Sequence, residues 1–219
     1  MQRLIFEDLL QWKTSPRRKP LILNGARQVG KTWILKHFGE MHYDNVAYIN
    51  CDKESLAAKL FEDYDTKRII QAIEAMTNTQ IVAGKTLIII DEIQEVPRGL
   101  HALKYFAENA PEQHIAVAGS LLGLLLHQGE SFPVGKVNML QMHPMTFLEF
   151  LKAMGEDKIY QQLLNREWSV TNTVHEKIVK HLRMYLYVGG MPEAVQAYCD
   201  NVPLREIRSI DNEILTAYI

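Results

Sequence analysis

Cysteine is scarce: Cys51 and Cys199 are the only two in 219 residues, and they form no metal-binding or redox motif. No signal peptide and no long apolar run appear, so the expected setting is reducing and cytoplasmic, with no membrane partner. No surplus of positive charge announces nucleic acid either. Lys plus Arg number 24 against 26 Asp plus Glu, a net charge of -2. The triplet Arg17-Arg18-Lys19 is the one local basic stretch, and it reads first as a solvated loop. The eight histidines are scattered without metal-ligand spacing. No nucleophile–base pair, repeat, low-complexity tract or long linker is present. What remains is an ordinary globular composition, 47% hydrophobic and 23% charged.

Within it lies Gly25-Ala26-Arg27-Gln28-Val29-Gly30-Lys31-Thr32, which fits the G-x-x-x-x-G-K-[ST] phosphate-loop pattern. Gly25 and Gly30 permit backbone turns closed to residues with a Cβ, so that successive N–H groups point at a phosphate. Lys31 brings a point charge to the β- and γ-phosphates, and Thr32 offers a hydroxyl to Mg²⁺. A helix beginning here adds the positive end of its dipole. The competing reading is a glycine-rich turn that matches by accident. The apolar run Leu21-Ile22-Leu23 before it and the helical pattern Trp33–Gly39 after it argue for the phosphate loop.

Periodicity predicts a helix over 2–12, a strand over 46–50, helices over 55–63 and 66–76, and a strand over 86–90. A helix over 99–109, a strand over 115–118, a short leucine-rich helix over 121–127 and a strand over 137–142 follow. Beyond that only helices are expected, over 146–154, 157–165 and 172–187, then one opened by Pro192 and a last one from about 203. That last helix reaches Ile219 with no stop signal, which reads either as a fragment boundary or as a natural C-terminal helix. Strands alternating with helices imply an α/β fold with a parallel sheet covered on both faces, and the trailing helices imply a small appended helical subdomain. The expected division is a sheet-containing core over 1–150 and a helical part over 151–219. Ligands of such sheets bind beyond the carboxyl ends of the strands.

The strand ends carry the remaining chemistry. Leu87-Ile88-Ile89-Ile90-Asp91-Glu92 has the form of a Walker B segment. Asp91 is expected to bind Mg²⁺ through its water shell, and Glu92 to polarise the water that attacks the γ-phosphate. Ser120 suits either a contact to the γ-phosphate or its attacking water, or a helix N-cap. Gln94 is placed to relay the same water. Arg27, Arg98, Lys136 and Arg183 are candidates for a further cation at the developing charge, each reading first as a surface or structural residue. The absence of an N-K-x-D signature favours adenine over guanine.

Together these motifs, with His143-Pro144-Met145-Thr146-Phe147-Leu148-Glu149-Phe150-Leu151 and Gly189-Gly190-Met191-Pro192-Glu193-Ala194, resemble a family of prokaryotic AAA-type ATPases. The resemblance spans nearly the whole chain. It implies an AAA core of the P-loop NTPase class with sheet order 5-1-4-3-2, a helical lid near the nucleotide base, and a further C-terminal domain. On that resemblance residues 1–150 are the AAA-type ATPase core, and 151–219 are a helical lid with the start of a truncated C-terminal region. The implied cofactors are ATP and Mg²⁺. Similar proteins commonly carry Gly-Arg where this chain has Gly135-Lys136, so an arginine-finger role there is in question. Three functions compete. The first is Mg²⁺-dependent ATP hydrolysis that drives a conformational change. The second is a slow nucleotide-gated switch or interaction module. The third is a DNA-acting ATPase using the Arg17–Lys19 loop or the further domain. A nucleotide kinase is a weaker fourth, since no arginine-rich lid is apparent. The partner, protein or nucleic acid, is open, as is assembly into a homo-oligomer.

Overall fold

The computed structural model describes residues 3–53, 57–120 and 135–216. Contacts divide the chain into two compact units, Ile5–Met142 and His143–Ile219 together with Met1–Leu4.

The first unit is built on α1 (Ile5–Thr14), β1 (Leu21–Gly25), α2 (Lys31–His42), β2 (Asn45–Asn50), α3 (Ala57–Leu60), α4 (Thr66–Thr77), β3 (Thr86–Asp91), α5 (Pro97–Asn109), β4 (His114–Gly119) and β5 (Asn138–Met142). The five strands are all parallel, in the order β2-β3-β4-β1-β5. This is the order 5-1-4-3-2 that the family resemblance implies, read from the other edge. The three central strands are buried along nearly their whole length, which is why they read as unbroken apolar runs rather than alternating ones. Ile22, Ile88, Ile90, Ile115 and Val117 pack with Ile69 and Ile73 of α4 and with Leu103 and Phe106 of α5. The intervening strand residues face the other way, where α2 lies against β1 to β4. In such a parallel stack all carboxyl ends of the strands, and hence Gly25, Asp91 and Gly119, come to one edge.

The second unit is helical: α6 (Phe147–Ala153), α7 (Asp157–Leu164), α8 (Trp168–Thr173), α9 (His175–Val188), α10 (Pro192–Cys199) and α11 (Leu204–Thr216). Thr146 and Glu149 close a capping box on α6: Thr146 Oγ1 accepts from Glu149 N at 3.3 Å, and Glu149 Oε2 from Thr146 N at 2.7 Å. The other Glu149 oxygen accepts from Arg3 Nε at 2.9 Å and from Leu4 N at 2.8 Å. The two late sequence motifs meet here. Met145 N donates to Gly190 O at 2.6 Å, Tyr185 OH donates to Met145 O at 2.8 Å, and a Cβ on Gly190 would run into the Met145 carbonyl.

Two details differ from the sequence expectation. The helix expected over 172–187 starts later, as α9 at His175, and it is preceded across Val174 by α8, which was not expected. Ser169 to Val174 is dense in Ser, Asn and β-branched residues, which weaken a continuous helix. The helix expected over 55–63 is described only as the single turn Ala57–Leu60, and its first residues fall outside the described part. The expected helix over 121–127 also lies outside the described residues. Among the described residues, no helix is long and apolar enough to cross a membrane.

Candidate functional site

The site begins where β1 ends. Gly25 pairs in register with Met142, the last residue of β5, and a Cβ on Gly25 would run into the Met142 carbonyl oxygen. Only glycine lets the loop leave the sheet so close to that peptide. Gln28 at φ 62° and Gly30 at φ 94° then take left-handed backbone within three residues. Such turns gather successive N–H groups into an anion-binding concavity. Val29 is fully buried and anchors the loop, while Arg27 and Gln28 are exposed. α2 starts at Lys31 with Gly30 as its N-cap and without a side-chain cap, which suits an anion at the first-turn amides.

Lys31 is only 5% exposed. Its Nζ donates to Ala26 O at 2.7 Å and Gly25 O at 3.0 Å, and stands 3.4 Å from Ser120 Oγ. Burial lowers its pKa, opposed by the negative charges of Glu92 and Asp91. Thr32 Oγ1 donates to Asp91 Oδ2 at 2.7 Å, joining the phosphate loop to the end of β3. Asp91 is 3% exposed. Glu92, just past the strand, has φ 50° and ψ 44°. A left-handed glutamate is uncommon, and such backbone collects at functional positions. Its Oε2 accepts from Gln94 Nε2, and Gln94 Oε1 is buried without a protein partner among the described residues.

The structure therefore brings Lys31, Thr32, Asp91 and Ser120 together through direct contacts, with Gln94 on Glu92. It does not bring Lys136 there. Lys136 precedes β5 at the opposite edge of the sheet and pairs with Glu108 at 2.9 Å. Arg98 stands 5.2 Å from the centre of the Tyr64 ring. Arg183 lines a cavity of about 620 Å³ in the helical unit. Arg18 Nη2 donates to Pro111 O and Lys19 Nζ to Gly135 O, so two of the three basic loop residues are turned onto backbone carbonyls.

Sequence reasoning missed Tyr48. Read only as a strand residue, it donates from its hydroxyl to Asp91 Oδ2 at 3.1 Å. The signal lay in strand pairing: Asn50 is in register with Asp91, which puts Tyr48, two residues back, on the same face and diagonal to it.

The side-chain oxygens placed to meet a cation are the Thr32 hydroxyl and the Asp91 carboxylate, beside the Lys31 ammonium and the glycine-loop turn. That set fits a hard divalent cation such as Mg²⁺, which draws its remaining ligands from water and phosphate. It also fits the phosphates themselves. A parallel sheet with a glycine loop, an uncapped helix start and an acidic strand end one strand removed from the loop strand defines a P-loop nucleotide-binding fold.

The chain belongs to the AAA domain family, whose model matches residues 17–151. Solved structures share the fold. The Walker-type ATPase PABY2304 of Pyrococcus abyssi superposes with a TM-score of 0.55 at 17% identity, over 99% of this chain and 73% of that one. Drosophila ORC bound to DNA superposes with a TM-score of 0.50 at 13% identity, over 95% of this chain and 66% of that one. The chain thus spans about two-thirds to three-quarters of the length of these structures. Comparison with curated proteins finds no match.

Proposed function

We propose that this chain is a Mg²⁺-dependent ATPase that hydrolyses ATP to ADP and phosphate to drive a conformational change. The observation that carries the reading is the 2.7 Å contact between Thr32 Oγ1 and Asp91 Oδ2, with Lys31 Nζ beside Ser120 Oγ. Residues 25–32 would cradle the phosphates, and Thr32 and Asp91 would hold the cation. The cation would supply charge neutralisation at the β- and γ-oxygens. Lys31 would stabilise the charge that develops on the transferred group. Ser120 would hydrogen-bond the γ-phosphate or the attacking water, and Glu92 would orient that water and draw its proton. The proposed division of labour is an ATPase core over residues 1–150 and a helical lid beyond.

The test is phosphate release by purified protein, with Glu92→Gln as the variant. Release should fall by about 10²–10⁴-fold, the usual contribution of a positioned base. Equal release by wild type and variant would remove Glu92 from the role.

One observation favours a second reading, a slow nucleotide-gated switch. The Glu92 carboxylate is engaged by the Gln94 amide. While that bond holds, one oxygen of the base is occupied. Tight nucleotide retention with turnover that accelerates in Gln94→Ala would select the switch. For a DNA-acting ATPase, the support is fold likeness to a structure bound to DNA, and the inward bonding of Arg18 and Lys19 weighs against the basic loop as the contact. DNA-stimulated hydrolysis with a steep salt dependence would restore it.

A further inference from the structure

Asp91 holds more than the phosphate loop requires of it. Its Oδ2 accepts two hydroxyls, from Thr32 at 2.7 Å and from Tyr48 at 3.1 Å, and its Oδ1 accepts the main-chain N–H of Glu92 at 3.2 Å. A carboxylate has about four lone-pair sites, so these contacts leave one for a further partner. Tyr48 is itself held from several sides. The pairing of β2 on β3 fixes its backbone, with Tyr48 opposite Ile89 and Asn50 opposite Asp91. Lys36 Nζ stands 3.4 Å from the centre of its ring, and Asn50 Nδ2 donates to its hydroxyl at 3.4 Å. Lys36 lies on α2, the helix that also carries Lys31 and Thr32. Tyr48 thus bridges the phosphate-loop helix and the acidic strand end.

We propose that Tyr48 is a positioning residue for the metal–nucleotide site, fixing the Asp91 carboxylate beside Thr32 in the rotamer that a divalent cation needs. This rests on the Mg²⁺–nucleotide reading above. Partners that orient a metal-ligating carboxylate commonly set metal affinity without touching the metal. A Tyr48 hydroxyl that merely satisfied its own hydrogen bond would support the fold and nothing more.

The two roles separate in a binding experiment that needs no turnover. A fluorescent non-hydrolysable ATP analogue is titrated into wild type, Tyr48→Phe and Asp91→Asn, each in excess Mg²⁺ and in excess chelator. Tyr48→Phe keeps the ring and its contact with Lys36 and removes only the hydroxyl. The expected result is equal affinity in chelator for wild type and Tyr48→Phe. The Mg²⁺-dependent gain should shrink by about tenfold in Tyr48→Phe, and the Mg²⁺ concentration giving half the effect should rise by a similar factor. Asp91→Asn should lose the gain altogether. A full gain in Tyr48→Phe, or an equal loss with and without metal, overturns the positioning role while leaving the site reading intact. No Mg²⁺-dependent gain in wild type overturns the site reading and the inference with it.

Discussion

The two edges of one sheet use polar side chains in opposite ways. At the edge where strands begin, His114 opens β4 and accepts or donates through Nδ1 with Tyr43 OH at 2.7 Å. Trp12 Nε1 donates to Lys19 O at 2.8 Å and Arg18 Nη2 to Pro111 O at 2.8 Å. Burial drives the His114 pKa down to about 4 and raises that of Tyr43. Most groups at this edge close on one another and on the backbone, with Gln113 Oε1, just before β4, buried without a partner among the described residues, and the buried histidine stays neutral. At the edge where strands end, a lysine and an aspartate are buried almost completely, two left-handed residues and a left-handed glutamate are held in place, and carboxylate capacity is left over. A polar edge that serves only the fold closes most of its groups on one another. An edge built for a ligand carries strain and spare valence.

Breaking the strand-end edge should have the largest effect. Lys31→Ala removes the buried ammonium and should slow phosphate release by about 10²–10³-fold, read by a steady-state phosphate assay. Breaking the other edge should appear in stability against pH. The folded pKa of His114, about 4, lies below its unfolded value near 6.5, so the unfolded chain binds the extra proton between those limits. The contribution of His114 is therefore complete above pH 6.5 and is lost as pH falls toward 4, by at most about 3 kcal/mol. Denaturant midpoints across that window should fall more steeply for wild type than for His114→Gln. The smallest effect belongs to the exposed pair Lys136–Glu108 at 2.9 Å. Lys136→Ala should cost under about 1 kcal/mol by thermal melting and leave turnover unchanged. A large loss of turnover there would blur the contrast between the edges.

Much of the strand-end edge was legible in the sequence, because its chemistry is contiguous. The phosphate loop is eight adjacent residues, and Asp91-Glu92 follows an unbroken apolar strand. The sheet order came with the family resemblance rather than from periodicity. Contacts that depend on how strands pair were not legible. Tyr48 reaches Asp91 only because β2 and β3 align Asn50 with Asp91, and Met142 lies under Gly25 only because β5 pairs with β1. Neither register is written within one segment. The same holds for α8, six residues without apolar periodicity that follow a left-handed turn at Arg166. Gln94 was legible as a neighbour of Glu92 by spacing alone, and the structure adds that its amide holds the carboxylate.

The most direct test is a calorimetric titration of a non-hydrolysable ATP analogue with Mg²⁺ into the wild-type protein and into Lys31→Ala. Saturable one-site uptake by the wild type, lost or strongly weakened in the variant, is the predicted result. No heat of binding in the wild type, or equal binding by both proteins, would contradict the claim that the strand-end edge holds a nucleotide.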